Sequence, residues 1–546
     1  MAVAILGPQG VFGERYLLEC LCDQLSRNPY FELILSHFLN TMHLHFSSAV
    51  CLSSHHIGIG FFMLTSLRYH TLFKPLAMAL TLLSCATFAP SIASAQDKGG
   101  TTTERLPPMD TPLNQELTAL DKYVSTPDPT YSYKIVRTTE DADGTLFVVD
   151  LTSQTWLTEK EVNRPVWKHW LLIYRPKEVA NNKALMFIGG GANGKDAPSG
   201  LDRNIAAVAK ATKSVVAELK QVPNQPLIFH GDGVERVEDD LIAYTWNYYI
   251  KTGDARWPAR LPMVKSVVRA MDTVQAVMAS EQAGKLKVDQ FTVAGGSKRG
   301  WTTWMTAAVD KRVVAIAPIV IDVLNVDRSM QHHYSAYGFW APAIDEYVHH
   351  KIMDLRHDPD YMELMKIEDP YAYRDRFTMP KCIINATGDQ FFCPDSSQFY
   401  YDDLPGEKHL CYVPNTEHSL KESNAAESLL AFHYAIVHDV PRPEFTWTIE
   451  DNKITVHCKT KPSKVTLWQA NNPKTRDFRV DTIGRAYKPI ELKQTAEGTY
   501  VAELSKPEMG WTASLIQCEF DIGAPVPLRL STPVKILPET LPAAGK

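Results

Sequence analysis

The chain has 546 residues, a formal net charge of −6, 45% hydrophobic residues and 22% charged residues. That length implies more than one domain, and the composition is that of a globular protein with enough apolar side chains for a sizeable core. The acidic balance argues against a nucleic-acid partner, which would need a basic face. The absence of a Walker A loop and of a G-x-G-x-x-G after a strand argues against a nucleotide cofactor, and none is expected.

Residues 63–95 read as a secretory signal: Arg68 and Lys74 are basic, 76–89 is an apolar run, and Ala93-Ser94-Ala95 is a cleavage site. Residues 1–62 precede it and read as a non-native upstream extension. Within them, 31–50 holds several His and polar residues and is a poor membrane segment, so no stable span is expected in the mature chain. Leu82-Leu83-Ser84-Cys85 resembles a lipoprotein box, but soluble export, secreted or periplasmic, is preferred over anchoring at Cys85. After the cut five cysteines remain, Cys382, Cys393, Cys411, Cys458 and Cys518. Five is odd, so one thiol at least is unpaired within a monomer. Cys458 and Cys518 lie in strand-like runs and are the expected disulfide in an oxidising compartment. Cys382 and Cys411 are a second possible pair.

Residues 96–128 form a polar, flexible segment leading into a short helix at 113–123. Strands are expected at 145–149, 169–174 and 184–188, then a helix at 202–213 and a strand at 214–219. Helices follow at 239–250 and 262–279. Next come a strand at 291–294, a helix at 301–309 and a strand at 313–317. Residues 325–380 interrupt this alternation with a helical, aromatic, His-rich stretch that would cap the strand ends. The sheet resumes at 381–386 and 409–413, and a helix closes it at 422–438. Apolar strands alternating with amphipathic helices define an α/β domain over 129–440 with a parallel sheet covered on both faces. Its active site belongs at the carboxyl ends of the strands. Past Pro441-Arg442-Pro443, short alternating segments at 445–449, 453–457, 464–468, 498–502 and 512–516 read as an all-β, immunoglobulin-like sandwich over 443–535.

Gly295-Gly296-Ser297-Lys298-Arg299-Gly300 joins the 291–294 strand to its helix. A serine between glycines at a strand-to-helix turn suggests a nucleophile elbow. The usual spacing is G-x-S-x-G; here Arg299 stands where the second glycine belongs and Gly300 follows one place late. Arg299 must therefore leave the elbow outward, with Gly300 supplying the close strand–helix approach. A serine nucleophile needs a base and an acid that orients it, in the chain order Ser, acid, His. Asp389 follows the 381–386 strand and His418 follows the 409–413 strand. Asp395, six residues along the same loop, is the alternative acid, and Glu417 is a third choice. An oxyanion hole needs two N–H donors. Lys298 supplies one, and the loop Gly189-Gly190-Gly191-Ala192-Asn193-Gly194 supplies the other from Gly191 or Ala192. Weaker candidates for substrate contact are Arg299, Trp340 and Tyr337. Glu238-Asp239-Asp240 opens a helix, where the dipole accounts for acids. The pairs His332-His333 and His349-His350 lack the further spacing that a metal site requires, so no metal is expected.

With these residues in view the chain resembles the PhoPQ-activated pathogenicity-related protein family, over roughly 113–533. The resemblance rests on Phe187-Ile188-Gly189-Gly190-Gly191-Ala192-Asn193, on the elbow through Trp301, on Thr387-Gly388-Asp389-Gln390-Phe391-Phe392 with Pro394-Asp395-Ser396-Ser397-Gln398, and on Tyr412-Val413-Pro414-Asn415 with His418-Ser419. It implies an exported α/β-hydrolase with a C-terminal β-domain and leaves the substrate open. Two functions follow as expectations. One is a secreted serine hydrolase cleaving an ester or amide of a small-molecule or peptide substrate. The other is a non-catalytic, virulence-related signalling or binding protein on a hydrolase scaffold.

Overall fold

The computed structural model describes residues 117–450 and 452–545. The expected signal at 63–95, the extension at 1–62, Cys85 and most of the 96–128 segment lie outside the described residues. A first helix, α1 (Ala119–Ser125), is closed by a capping box between Thr118 and Asp121, a few residues later than the helix expected at 113–123.

The central sheet contains β1 (Ser132–Glu140), β2 (Gly144–Thr155), β3 (Val166–Pro176), β4 (Lys183–Ile188), β5 (Val215–Leu219), β6 (Gln290–Gly296), β7 (Val313–Ile319), β8 (Lys381–Ala386) and β9 (Lys408–Val413). The spatial order is β1-β2-β3-β5-β4-β6-β7-β8-β9. β1, β2, β3 and β5 pair antiparallel in sequence, and from β5 to β9 every pairing is parallel. This order and the elbow after β6 are those of the α/β-hydrolase fold. Parallel strands need crossovers that cover both faces, which is why β4 reads as a nearly unbroken apolar run. Leu185 faces Ile205 and Phe432 of the helices α2 (Arg203–Thr212) and α9 (Ala425–Val437) on one side. Met186 faces the other side, with α4 (Arg260–Ala279) and α5 (Lys298–Val309). α2 starts on the Asp202 carboxylate, which accepts from the Asn204 amide at 2.8 Å. α3 (Glu238–Thr252) ends at Gly253, whose left-handed backbone (φ 69°) releases the chain.

Between β7 and β8, where a cap is expected, lie the helices α6 (Val326–Tyr337), α7 (Asp345–His349) and α8 (Pro359–Glu368). C-terminal to Pro443 come β10 (Phe445–Glu450), β11 (Lys453–Cys458), β12 (Lys464–Asn472), the single turn α10 (Val480–Ile483), β13 (Lys488–Glu491), β14 (Gln494–Ala496), β15 (Thr499–Glu503), β16 (Trp511–Phe520), β17 (Leu528–Ser531) and β18 (Lys535–Leu537). β10-β11-β15-β14 form a sheet of their own. The remaining strands do not form a second separate sheet. β17 pairs with β9 at Ser531 and Leu410, so β17-β16-β12-β13 continue the central sheet. The Ser531 hydroxyl accepts from the Tyr412 amide at 2.9 Å at the same junction. Cys458 and Cys518, expected as a disulfide, are free cysteines on β11 and β16. Cys382 and Cys411 are free as well; the β8–β9 register pairs Cys411 with Ile384 and sets Cys382 opposite His409.

Candidate active site

Ser297 has φ 58° and ψ −127°, a backbone state rare for a residue with a side chain and one that costs on the order of 1–3 kcal/mol. Two hydrogen bonds hold it there. Its amide donates to the Ile319 carbonyl at 2.8 Å, and its carbonyl accepts from the Trp301 amide at 3.0 Å. A Cβ on Gly295 would lie 2.8 Å from the Arg299 carbonyl oxygen. One on Gly300 would lie 2.8 Å from the Ile319 oxygen and 2.9 Å from that of Gly295. These two glycines are required by contact with backbone, which cannot give way. Gly296 has no such neighbour. The second tight glycine is thus Gly300, one place later than the common spacing.

The Arg299 side chain leaves the strand–helix contact, but it does not reach solvent or substrate space. Its Nη atoms donate to both Glu238 oxygens at 2.7 and 2.8 Å, and its Nε donates to the Val222 carbonyl. A Cβ on Gly190 would sit 2.7 Å from its Nη2, so the guanidinium lies under the glycine loop. Lys298 is turned the same way, onto Glu238 at 2.8 Å and Asp239 at 3.0 Å. Burial works against the charge on Glu238, but Arg299 and Lys298 hold its carboxyl down to about 2. The acids opening α3 therefore clamp the elbow as well as favouring the helix dipole. Arg299 as a substrate contact is corrected, because its donors are already engaged. Trp340 and Tyr337 are corrected too. Neither lines a cavity shared with Ser297. Tyr337 ends α6 and lies against His333, Phe339 and the Arg479 guanidinium, while Trp340 packs on His333 and Tyr334.

Asp389 follows β8 and His418 follows β9. Nδ1 of His418 lies 2.9 Å from both Asp389 carboxylate oxygens. The Phe391 amide also donates to Asp389, and the His418 amide donates to the Gln390 side chain at 2.9 Å. Phe391 lies against the imidazole with ring centres 4.2 Å apart. Nε2 of His418 is buried and has no hydrogen-bond partner, and His418 and Ser297 line one open cleft. The alternative acid, Asp395, points elsewhere: its oxygens lie 3.0 Å from His332 Nε2 and 2.6 Å from Arg476 Nη2. Burial opposes its charge, but Arg476 and His332 hold its carboxyl far below the usual carboxylate range. Glu417 accepts from Ser419 instead.

The glycine loop is held by the Gly189 amide on the Leu219 carbonyl at 2.7 Å and by the Gly190 carbonyl, which accepts from Gln221 at 2.9 Å. Gly189 and Gly190 line the cleft with Ser297. Gly191 and Ala192, the expected donors, are one step further out against Gln221, whose side chain donates to the Ala192 carbonyl at 3.0 Å. His332, Cys393 and Asp395 bring potential metal-ligand atoms within 4.8 Å of one another, a grouping unrelated to the adjacent-His pairs. Arg476 already supplies the cation there, and burial pushes the Cys393 thiol up, away from the thiolate a metal requires.

Sequence reasoning missed three supporting elements. Asp322, just past β7, is buried and accepts from the Tyr400 and Tyr412 hydroxyls. Burial, with the charge of Asp389 adding to it, pushes its carboxyl up to about 7 despite those donors. Arg260, fully buried in α4, donates to the Lys298 carbonyl at 3.0 Å and pairs with the buried Glu368. The third is the C-terminal segment at 476–487, which reaches both loops. The Val480 amide donates to Gly388, the Tyr487 amide to Asn415, and Arg476 to Asp395. The charge of Arg260 within an apolar helical pattern was the one available signal.

Among solved structures the chain is similar to acetyl xylan esterase 1 from Thermoanaerobacterium sp. JW/SL YS485, at 14% identity and TM-score 0.43, over 59% of this chain and 92% of that one. It is also similar to a glucuronoyl esterase from Solibacter usitatus, at 14% identity and TM-score 0.33, over 58% and 91%. In sequence it is 40% identical over 458 residues to the autocrine proliferation repressor protein A of Dictyostelium discoideum, covering 78% of this chain and 91% of that one. Residues 120–479, more than half of the chain, match the profile of one family. The chain belongs to the PhoPQ-activated pathogenicity-related protein family.

Proposed function

We propose that the protein is a serine hydrolase that cleaves an ester or amide bond through an acyl-enzyme. The observation that carries this is the state of His418. Asp389 holds Nδ1 with both oxygens at 2.9 Å, while the buried Nε2 has no partner and shares a cleft with Ser297. A histidine so held keeps the Nδ1–H tautomer, leaving Nε2 as the base. It takes the Ser297 hydroxyl proton as Oγ attacks the carbonyl carbon. The oxyanion is stabilised by the Lys298 amide, at the positive end of α5, and by an amide of the 189–192 loop. His418 then gives the proton to the leaving oxygen or nitrogen, the scissile bond breaks, and water repeats the sequence to free the acid. The strained Ser297 is part of the same reading, because strain of this kind is kept where it places a reacting atom.

A fluorophosphonate probe tests it. Wild type labels at Ser297, and Ser297→Ala and His418→Ala do not. An unlabelled wild type, or equal labelling of Ser297→Ala, removes the proposal. A second reading has its own support: the 40%-identical relative is named as a repressor of proliferation, so the chain would act as an exported signalling protein. Ser297→Ala separates the two, because a purely signalling protein keeps its effect on cells when the hydroxyl is gone. Both readings include export directed by residues 63–95. No helix among the described residues is long and apolar enough to cross a membrane.

A further inference from the structure

Ser297 stands between two cavities of different size. One is an open cleft of ≈ 470 Å³ with His418 on its wall, where Asp202, Glu218 and Lys220 stand among apolar neighbours such as Val208, Ile319 and Leu429. The other is a tight pocket of ≈ 50 Å³ on the cap side, walled by Trp246, Trp301, Ile321, Met330, Ile344 and Phe391. Of the cations in its lining, Lys298 pairs with Glu238 and Asp239, and Arg260 pairs with Glu368 through Nε while its Nη2 is a buried donor without a partner. His418 does not line this pocket, and Phe391, packed on the imidazole, forms its wall on that side.

The chemistry assigns the two spaces. When the tetrahedral intermediate collapses, the proton on His418 Nε2 must pass to the departing oxygen or nitrogen. The leaving group therefore occupies the space that His418 lines, the open cleft. The substituent on the carbonyl carbon is left with the apolar pocket. We propose that this pocket is the acyl pocket and that the acid half of the substrate is a short, uncharged aliphatic group. The inference rests on the hydrolase reading above and deepens it. A single water occupies about 10–15 Å³ of such space, so the pocket admits about three to five heavy atoms. Acetyl to butyryl groups and small branched side chains fit. A longer chain runs into Trp246 and into Met330 and Ile344 of the cap.

The test uses the full chain and p-nitrophenyl acetate, butyrate, hexanoate and octanoate. kcat/KM is expected to fall at least tenfold from butyrate to octanoate. Met330→Ala, which lengthens the pocket, moves the optimum toward hexanoate. Ile344→Phe, which fills it, lowers the butyrate-to-acetate ratio. Ratios between esters within one preparation do not depend on how much of a variant is folded. A profile that is flat or rises to octanoate, or ratios unmoved in both variants, overturns the acyl pocket and leaves the serine-hydrolase reading standing. Absence of both turnover and Ser297 labelling overturns the two together.

Discussion

The Val480 amide donates to the Gly388 carbonyl at 3.0 Å, and the Gly388 amide donates to the Thr416 carbonyl at 3.0 Å. One glycine thus ties the turn that presents Asp389 to the loop that presents His418 and to a segment about ninety residues further on. A Cβ on Gly388 would come 2.4 Å from Val480 Cγ2 and 2.9 Å from the Thr416 oxygen. The side-chain clash can move; the backbone one cannot. Gly388→Ala is expected to lower kcat/KM at least tenfold, about 1.4 kcal/mol in the transition state, with Asp389 itself intact. Adding Val480→Ala should restore only part of the loss. Full recovery would mean that Thr416 does not constrain the turn. Esterase kinetics on the single and double variants decide between these outcomes.

The elbow glycines give a sharper contrast. Gly300→Ala forces a methyl against two carbonyl oxygens at 2.8 and 2.9 Å, whereas Gly296→Ala finds its nearest neighbour at 4.0 Å. The first is expected to prevent folding into soluble protein. The second is expected to leave the melting temperature within a few degrees of wild type. Soluble yield and thermal unfolding of the two variants measure the difference.

Glu238 links pH to the stability of the elbow. Its folded carboxyl is held down to about 2, below its ordinary 4.5. A depressed acid contributes stability that is fully present above its unfolded value and is lost as pH falls toward its folded one. Wild type should therefore lose stability between about pH 4.5 and 2 more steeply than Glu238→Gln. Denaturant titrations at several pH values read this slope. The same variant weakens the hold on the Lys298 and Arg299 side chains, which keep only Asp239 and the Val222 carbonyl, and should also reduce kcat, because the turn that carries Ser297 is less firmly braced.

Arg476 and Asp395 form a buried pair, 4% and 7% exposed, at 2.6 Å. Removing one member of a buried pair leaves an uncompensated charge, which costs about 3–5 kcal/mol. Arg476→Met should destabilise by that order in equilibrium unfolding, and Arg476→Met with Asp395→Asn should recover a large share. If the single variant is as stable as wild type, the pair does not anchor the 476–487 segment.

The strands of the parallel sheet were legible because both of their faces are buried, which leaves unbroken apolar runs such as Ala184-Leu185-Met186. β1, with alternating half-exposed residues, and the four-residue β17 carry no such signal. Their place is set by pairing with distant strands. That Asp389 meets His418, and that His418 shares a cleft with Ser297, was legible from order and from strand ends. Choosing Asp389 over Asp395 was not a matter of spacing: Arg476, 81 residues away, decides where Asp395 points. The route of Arg299 was hidden for the same reason, since Glu238 lies 61 residues earlier in the chain. The 325–380 stretch was visible as an interruption, but which of its aromatics face Ser297 was not. Tyr347 and Tyr361 line the apolar pocket, whereas Tyr337 and Trp340 do not.

The pairing of Leu410 with Ser531 has an engineering consequence. The Pro441-Arg442-Pro443 stretch invites a cut that would yield a minimal catalytic fragment. Such a cut would strip the outer neighbour from β9 and bare the edge of an apolar strand, a template for self-association. It would also remove the brace behind the loops that carry Asp389 and His418. The tail beyond residue 443 is part of the machine rather than a trailer attached to it, and any shortened version of this protein has to keep its last hundred residues.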